Sequence, residues 1–327
     1  MSTPPSPPPP PPPHVIEDCL SFRLFSDGSI IRDPDPIFPP SIHDDSSVVE
    51  WTDLPFGPPH HLLHLRLYRP KTLISSKLPV LFYFHGGGFC LGTRTWTNFH
   101  DCALRLSSSL SAIIVSPDYR LAPEHRLPAA IDDAISALDW LDPSDPPHPW
   151  LSSQSADLSR VFISGESAGA NLVHHLALHC ARSDPGRTRF KGFILLMPFF
   201  SGVDRTGSEA ACPSDGFLTL ERADQFWRLA LPHGATRDDP MGNPFGPGGP
   251  ELGSVELGPM MVVVGEKDML RDRGVEYGEK LKEMGKKKVE VVELKGKEHG
   301  FFAMNSWSDD AGDLVRLIAR FMEDNQS

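Results

Sequence analysis

Short apolar runs recur along the chain from residue 79 onwards, each followed by a polar or glycine-rich loop. Runs of about four to eight β-branched and aromatic residues between turn residues are typical of strands that are buried on both faces. Five segments fit this pattern, namely 79–84, 112–116, 160–164, 192–197 and 260–264, and a further strand is predicted at 289–294.

Between these runs lie stretches with helical periodicity. In the segment 129–141, for example, apolar residues recur at Ile131, Ala134 and Leu138 and form one face. Strands that alternate with helices predict an α/β fold with a mostly parallel, doubly wound sheet and helices on both faces. The predicted helices are 99–110, 129–141, 168–181, 271–284 and 310–322.

Three segments interrupt this rhythm. Residues 1–13 are rich in proline and lack an apolar pattern, so we expect a disordered tail. Residues 14–50 are irregular, with a hairpin predicted near residues 22–31, and 62–68 alternates as an edge strand does. Residues 202–250 form a long insertion with one amphipathic helix, 220–231, for which Thr219 is a suitable N-cap. An insertion of this length at the carboxyl edge of a sheet predicts a lid.

The strand at 160–164 runs directly into a Gly-x-Ser-x-Gly motif. Its residues are Gly165, Glu166, Ser167, Ala168 and Gly169, and a helix is predicted to follow. A serine between two glycines at a strand-to-helix junction predicts a nucleophile elbow, a strained turn that exposes the hydroxyl. The glycines are needed because a β-carbon would collide with the neighbouring strand or helix.

A serine nucleophile near neutral pH needs a base, and the base needs an acid to orient it. In this kind of fold the chain order is serine, acid, histidine. Asp268 follows the predicted strand 260–264, and His299 follows the strand 289–294. Taken alone, Asp268 would be a helix cap and His299 a packed or surface histidine. In the required order and at the carboxyl ends of strands, they predict a catalytic triad with Ser167.

A glycine-rich turn follows the strand at 79–84 and reads His85, Gly86, Gly87, Gly88. Such a turn is often only a tight loop, but here it allows backbone amides to face a substrate oxygen. We therefore assign the N–H groups of Gly87, Gly88 and Ala168 to an oxyanion hole, in which each donor contributes about 3–4 kcal/mol.

Together with the residues from Asp118 to His125, these two motifs resemble the hormone-sensitive-lipase group of α/β-hydrolases, and more closely its plant carboxylesterases. The resemblance covers nearly all of the chain after the proline tract. It implies the α/β-hydrolase fold with a helical cap, supports the triad, and makes His85, Gly86 and Glu166 supporting residues. We further expect Arg120 to brace Glu166, the alternative being a surface-loop arginine.

The same family includes gibberellin receptors, which keep the fold without the chemistry. They replace the triad histidine and carry serine as the last residue of the glycine-rich motif, whereas this chain has His299 and Gly88. The segment from Gly92 to Cys102 resembles the branch that contains strigolactone-degrading carboxylesterases.

The resemblance also indicates the domain organisation, because the family's lid includes the N-terminal segment. We expect residues 14–50 and 202–250 to form the cap, and 51–201 with 251–327 to form the α/β-hydrolase core.

Composition narrows the class of partner. The formal net charge is −12 with no basic stripe, which argues against nucleic acid and anionic membranes as partners. No segment approaches the roughly 20 apolar residues of a membrane span. Five scattered cysteines predict reduced thiols and a cytoplasmic location, with the nucleus as a further possibility. The histidines on the helix 168–181 have no acidic partners at ligand spacing, so we expect neither metal nor organic cofactor.

These features predict a serine carboxylesterase that hydrolyses esters of small apolar molecules through an acyl-enzyme, with a plant hormone or secondary-metabolite ester such as a strigolactone as a candidate. Two alternatives remain: a non-catalytic receptor on the same scaffold, and lactonase, amidase or dehydratase chemistry with the same triad. Six phenylalanines are candidates for an apolar pocket: Phe89, Phe199, Phe200, Phe217, Phe301 and Phe302. The sequence leaves the oligomeric state open.

Overall fold

The computed structural model describes residues 11–33, 47–58, 61–71, 76–142, 146–182 and 190–326. The chain divides into two compact units, Met1–Pro40 and Ser41–Ser327. Most of the predicted proline-rich tail lies outside the described residues.

The smaller unit contains a three-stranded antiparallel sheet with the order β1-β2-β3. Its strands are β1 (Val15–Cys19), β2 (Phe22–Phe25) and β3 (Ile30–Arg32). The predicted hairpin is confirmed as β2 and β3, where Gly28 adopts a φ of 84° in the turn. The description of this region as otherwise irregular was wrong, because β1 pairs with β2; its acidic residues and largely exposed side chains hide the strand from an apolar pattern.

In the described part of the larger unit, eight strands form one sheet and eight helices accompany it. The strands are β4 (Val49–Phe56), β5 (Leu63–Pro70), β6 (Leu78–Phe84), β7 (Ile113–Pro117), β8 (Ala156–Glu166), β9 (Phe190–Leu196), β10 (Met260–Gly265) and β11 (Val289–Leu294). The helices are α1 (Thr97–Leu110), α2 (Ala129–Asp139), α3 (Ala168–Arg182), α4 (Gly207–Ala210), α5 (Leu220–Ala230), α6 (Arg271–Glu283), α7 (Phe301–Met304) and α8 (Asp309–Asp324).

The order of the strands in this sheet is β11-β10-β9-β8-β6-β7-β5-β4. The strands from β11 to β7 in this order are mutually parallel, whereas β5 is antiparallel to both β7 and β4. All six strands predicted from 79–84 to 289–294 are among the parallel ones, and the last of them, β11, forms the edge opposite to β4 and is only partly buried. The predicted mostly parallel sheet is therefore confirmed.

Helices cover both faces of the sheet. Successive residues of a strand point to opposite faces. On β10, Met261 and Val263 belong to a core cluster that includes residues of α1, α7 and α8. Their neighbours Val262 and Val264 instead approach the glycines of α6. The two layers of helices exclude water from the strands that carry the functional residues.

The prediction of an edge strand at 62–68 was wrong. The strand there, β5, lies between β7 and β4, and β4 forms the edge. The cause is an ion pair that allows Arg66 to be buried: both the Nε and Nη2 groups of Arg66 donate to the partly exposed Asp53 carboxylate at 2.8 Å, and the Arg66 guanidinium lies 3.9 Å from the centroid of the Trp51 ring. An arginine in an alternating strand is expected to face solvent, but Arg66 is only 7% exposed and belongs to the interior.

The insertion at 202–250 contains α4 and α5. Thr219 caps α5 as predicted, since its side chain accepts the Arg222 N–H at 3.2 Å. Helix α4 was not predicted; a reciprocal capping box between Thr206 and Glu209 defines its start. The assignment of 14–50 and 202–250 to one cap stays a prediction. None of the helices in the described ranges is long and apolar enough to cross a membrane.

Candidate active site

Three parallel strands deliver the predicted site residues to one edge of the sheet. Ser167 directly follows β8, Asp268 follows β10 and His299 follows β11. Because parallel strands end at the same edge, the loops after them converge. The positions expected from the sequence are thus the positions that the fold brings together.

Ser167 occupies a turn that few residue types tolerate. Its φ is 56°, in the left-handed region that is uncommon for residues other than glycine. The surrounding backbone fixes this conformation: the Ser167 N–H donates to the Leu196 carbonyl at 2.9 Å, and its carbonyl accepts from Phe199 and Ala170 at 3.0 Å. The hydroxyl therefore projects from a point that the sheet and α3 jointly define.

The two motif glycines are required by close backbone approach. A Cβ at Gly165 would lie 2.3 Å from the Gly169 carbonyl oxygen, and a Cβ at Gly169 would lie 2.0 Å from that of Phe84. In both cases the opposing atom is a main-chain oxygen, which cannot rotate away as a side chain can. The strand–turn–helix geometry expected of a nucleophile elbow is present, with β8 before Ser167 and α3 after it, and the role of Ser167 as nucleophile stays a prediction.

The three predicted triad side chains form one hydrogen-bonded chain. His299 Nε2 lies 3.0 Å from Ser167 Oγ, and His299 Nδ1 lies 2.9 Å from Asp268 Oδ2. Since the carboxylate accepts, Nδ1 carries the proton and Nε2 is free to accept the serine proton. Asp268 also serves as the helix cap that the sequence suggested, because its Oδ1 accepts the Leu270 N–H at 2.8 Å.

Charges around His299 favour its protonated form. Burial on its own would lower the pKa of the imidazole, but the adjacent Asp268 carboxylate and its hydrogen bond, together with Glu166, raise that pKa above its ordinary value. The Asp268 side chain has no solvent-exposed surface. This group is thus a stronger base than a free histidine and is held in one tautomer.

Glu166 is buried beside Ser167 but lacks the partner that we expected. Its Oε2 accepts the Tyr83 hydroxyl at 3.2 Å. Arg120 does not brace it: the guanidinium forms a bidentate ion pair with Asp133 at 2.8–3.0 Å. The physical reason is that Arg120 follows β7 and faces α2, which carries Asp133. Burial raises the pKa of Glu166 to about 7, against the opposing effects of His299 and Tyr83.

The glycine-rich loop is held from behind by two stacked rings. The His85 imidazole stacks on Tyr119 with centroids 4.4 Å apart, and the Tyr119 hydroxyl donates to the His85 carbonyl at 2.9 Å. His85 Nδ1 is 2.8 Å from the Gly86 carbonyl oxygen, so the imidazole also contacts the main chain of the loop. A Cβ at Gly86 would lie 3.3 Å from the Ser167 Cβ, so the loop passes directly beside the nucleophile.

Gly87 and Gly88 both have positive φ, 115° and 60°. No hydrogen bond among the described residues uses the N–H of Gly87, Gly88 or Ala168. Ala168 begins α3, so its N–H has no intrahelical acceptor. All three amides assigned to the oxyanion hole are therefore available as donors.

Helix α5 of the insertion packs on this loop. A Cβ at Gly88 would lie 2.4 Å from Phe226 Cδ2, and the next helix residue, Trp227, stacks on Phe199 with centroids 4.3 Å apart. Gly88 is thus required both for its positive φ and for the approach of α5. The insertion thereby limits the space above the loop.

A cavity of about 520 Å³ lies beside His299 and Asp268. His299, Asp268, Lys267 and Glu298 contribute to one side, and the insertion contributes Cys212 and Phe217. Of the six phenylalanines considered from the sequence, Phe217 lines this cavity and is 40% exposed, whereas Phe89, Phe199, Phe200 and Phe302 are at most 2% exposed. The latter four belong to the packed interior.

Sequence reasoning missed two aromatic residues that support the site. Tyr83 lies in an apolar strand, and Tyr119 lies in the loop after β7. A buried tyrosine needs a partner for its hydroxyl, so a tyrosine two positions before His85 in an otherwise apolar strand was a usable signal for Tyr83. No comparable signal identifies the stack of Tyr119 on His85, because it depends on the path of two separate loops.

The segment from Gly92 to Cys102 lies behind the glycine-rich loop. A Cβ at Gly92 would be 2.8 Å from His85 Nδ1, and Phe99 packs on the His85 ring with centroids 5.1 Å apart. Arg94 forms ion pairs with Asp53 and Asp118. These contacts support the loop, and the relation of the segment to strigolactone stays a prediction.

The fold and the site together define an α/β-hydrolase. A family model described as the alpha/beta hydrolase fold matches residues 81–303. The chain is 36% identical over 262 residues to Probable carboxylesterase 2 of Arabidopsis thaliana, covering 80% of this chain and 81% of that protein. It is 35% identical over 313 residues to 2-hydroxyisoflavanone dehydratase of Glycyrrhiza echinata, covering 92% and 93%.

A solved structure agrees with these similarities. The carboxylesterase EstE1, cloned from a metagenomic library, superposes with a TM-score of 0.73 at 30% identity, covering 86% of this chain and 90% of that one. The chain belongs to the plant carboxylesterases of the hormone-sensitive-lipase group, a family of ester hydrolases.

The requirement for glycine at the elbow is testable by substitution. We expect Gly165→Ala to lower the free energy of unfolding by about 1–3 kcal/mol, because its Cβ meets a main-chain oxygen of α3. Gly253→Ala is the matched control, since a Cβ there has no neighbour within 4 Å. Urea denaturation followed by circular dichroism measures both; equal stability of the two variants would contradict the elbow geometry.

Proposed function

We propose that this chain is a serine carboxylesterase that hydrolyses esters of small apolar molecules through an acyl-enzyme. The observation that carries the proposal is the hydrogen-bonded chain from Ser167 through His299 to Asp268, with distances of 3.0 and 2.9 Å. A serine, a base and an acid at these distances are the arrangement that nucleophilic acyl transfer requires.

In the first step, Ser167 Oγ attacks the ester carbonyl carbon while His299 Nε2 takes the hydroxyl proton. Asp268 holds the imidazole in the required tautomer and stabilises the imidazolium that forms. The tetrahedral intermediate collapses as the C–O bond to the alcohol breaks and His299 gives its proton to the leaving oxygen. A water molecule then attacks the acyl-enzyme by the same sequence and releases the acid.

The negative charge on the carbonyl oxygen needs donors on the opposite side from His299. The amides of Gly87, Gly88 and Ala168 supply them in this proposal, and their lack of acceptors among the described residues supports it. Because the loop is fixed by the His85–Tyr119 stack, these donors need little rearrangement during the reaction.

The cavity beside His299 supports a site for the leaving alcohol. The base that protonates the leaving oxygen must face it, and His299 forms part of the wall of this cavity. A volume of about 520 Å³ falls in the range of ligand pockets and suits a small molecule. Phe217 supplies apolar surface there. A strigolactone is one candidate substrate of this size class.

Dehydration with the same residues is a second candidate. It is favoured by the similarity to 2-hydroxyisoflavanone dehydratase over 92% of this chain. Binding without turnover is disfavoured by His299, because a pure receptor needs no base aligned on a serine. Incubation with 2-hydroxyisoflavanones, strigolactones and gibberellins, followed by mass spectrometry of products, separates the three alternatives.

We also propose a cytoplasmic enzyme whose partner is its small-molecule substrate. The five cysteines support this location, because all of them are free thiols. The net charge of −12 argues against nucleic acid or an anionic membrane as a partner.

Removal of the nucleophile provides the first test. We expect Ser167→Ala to reduce turnover of p-nitrophenyl acetate, butyrate and octanoate by at least about 10⁴-fold, with a nearly unchanged thermal unfolding temperature. Ser159→Ala, an exposed position on the same strand β8, is the control and should keep full activity. Activity that survives in a folded Ser167→Ala variant would mean that another group is the nucleophile.

The pH dependence follows from the raised pKa of His299. Below that pKa the imidazole is protonated and cannot accept the serine proton, so activity falls as the pH falls. Because the shift is upward, we expect the acid limb of kcat/KM to have its midpoint above pH 6.5, the ordinary value for histidine. Rates from pH 5 to 9 at constant ionic strength measure it; a midpoint well below the ordinary value would contradict the account of His299.

A further inference from the structure

We propose that Glu166 is a positioning residue for the reaction: its buried carboxylate supports the loop of His299 and balances the positive charge that His299 gains when it takes the Ser167 proton. This inference rests on the proposed function. It assigns a role to a carboxylate that the triad mechanism leaves unused.

The geometry places Glu166 beneath the histidine loop. As the last residue of β8, it directly precedes Ser167, and it is 4% exposed. Its Oε1 lies 3.4 Å from the position that a Cβ on Gly300 would occupy, and Gly300 directly follows His299. Its Oε2 accepts the Tyr83 hydroxyl at 3.2 Å. One oxygen therefore faces the His299–Gly300 turn while the other is anchored on β6.

A carboxylate in this position is energetically costly unless a positive charge compensates it. No arginine or lysine in the described ranges forms an ion pair with Glu166, and Arg120 is occupied by Asp133. Burial of an uncompensated charge costs several kcal/mol. The cationic group that acts on Glu166 is His299, and only when it is protonated. The site thus holds a negative charge that is compensated only when the imidazolium forms.

Four titratable groups act on this carboxylate, from the elements that surround it. They are Tyr83 on β6, Cys102 on α1, and Asp268 and His299 in the loops after β10 and β11. Tyr83 and His299 stabilise the ionised form, whereas Asp268 disfavours it. In the other direction, ionised Glu166 raises the pKa of His299. Removal of the Glu166 charge must therefore lower that pKa and weaken the base.

The experiment measures the pH profile of kcat/KM for the full chain with p-nitrophenyl butyrate. Glu166→Gln keeps the shape and the acceptor for Tyr83 but removes the charge. We expect its acid limb to move by about one pH unit to lower pH and its plateau rate to fall by up to about tenfold. Glu166→Asp keeps a carboxylate, so its acid limb should move by less than that of Glu166→Gln.

Two further variants separate charge from packing. Tyr83→Phe removes the donor that favours ionised Glu166, so it should move the acid limb in the same direction, and it should add nothing to Glu166→Gln. Glu283→Gln, an exposed residue at the end of α6, makes the same change in net charge and should leave the profile unchanged.

An unshifted acid limb in a folded, active Glu166→Gln variant would overturn the proposal and make Glu166 a packing residue. An equal shift in Glu283→Gln would also overturn it, since the effect would then be that of net charge. Failure of the proposed function has a different signature, namely activity that survives in Ser167→Ala.

Discussion

The site depends on close main-chain packing at the turn from β8 to α3, where Gly165 approaches the carbonyl of Gly169 and Gly169 approaches the carbonyl of Phe84 at the end of β6. Because a Cβ at either glycine would overlap a main-chain oxygen, the strand can turn directly into the helix only with glycine at both positions. This turn forces Ser167 into the left-handed region and frees the Ala168 amide at the helix start. The proposed nucleophile and one proposed oxyanion donor thus depend on the same backbone turn.

Around this turn, buried carboxylates favour the protonated form of His299. Asp268 and Glu166 are both buried near His299, and each stabilises its imidazolium. Burial disfavours the ionised form of Glu166 and raises its pKa to about 7, although the hydrogen bond from Tyr83 acts in the opposite direction. The protonation states of Glu166 and His299 are therefore coupled, as expected for neighbouring groups that titrate in the same range.

Much of the fold was predictable because its parallel strands contain short apolar runs and because the serine motif and the glycine-rich motif follow two of these runs. Ser167, Asp268 and His299 could be found because each follows such a strand. Strand β4 could not be found, because exposed and acidic residues interrupt its apolar pattern, and the interior position of Arg66 could not, because it depends on the ion pair with Asp53. The partner of Arg120 was mistaken for a similar reason: the choice between Glu166 and Asp133 is decided by tertiary geometry that no local pattern encodes.

The most direct test is to label the nucleophile with a reagent whose adduct, unlike the acyl-enzyme, is hydrolysed very slowly. The protein is incubated with an organophosphate such as diethyl p-nitrophenyl phosphate, and the labelled peptide is identified by mass spectrometry. We expect stoichiometric loss of esterase activity, with a single diethylphosphoryl group on Ser167. Inactivation with the label on another residue, or full activity after modification of Ser167, would contradict it.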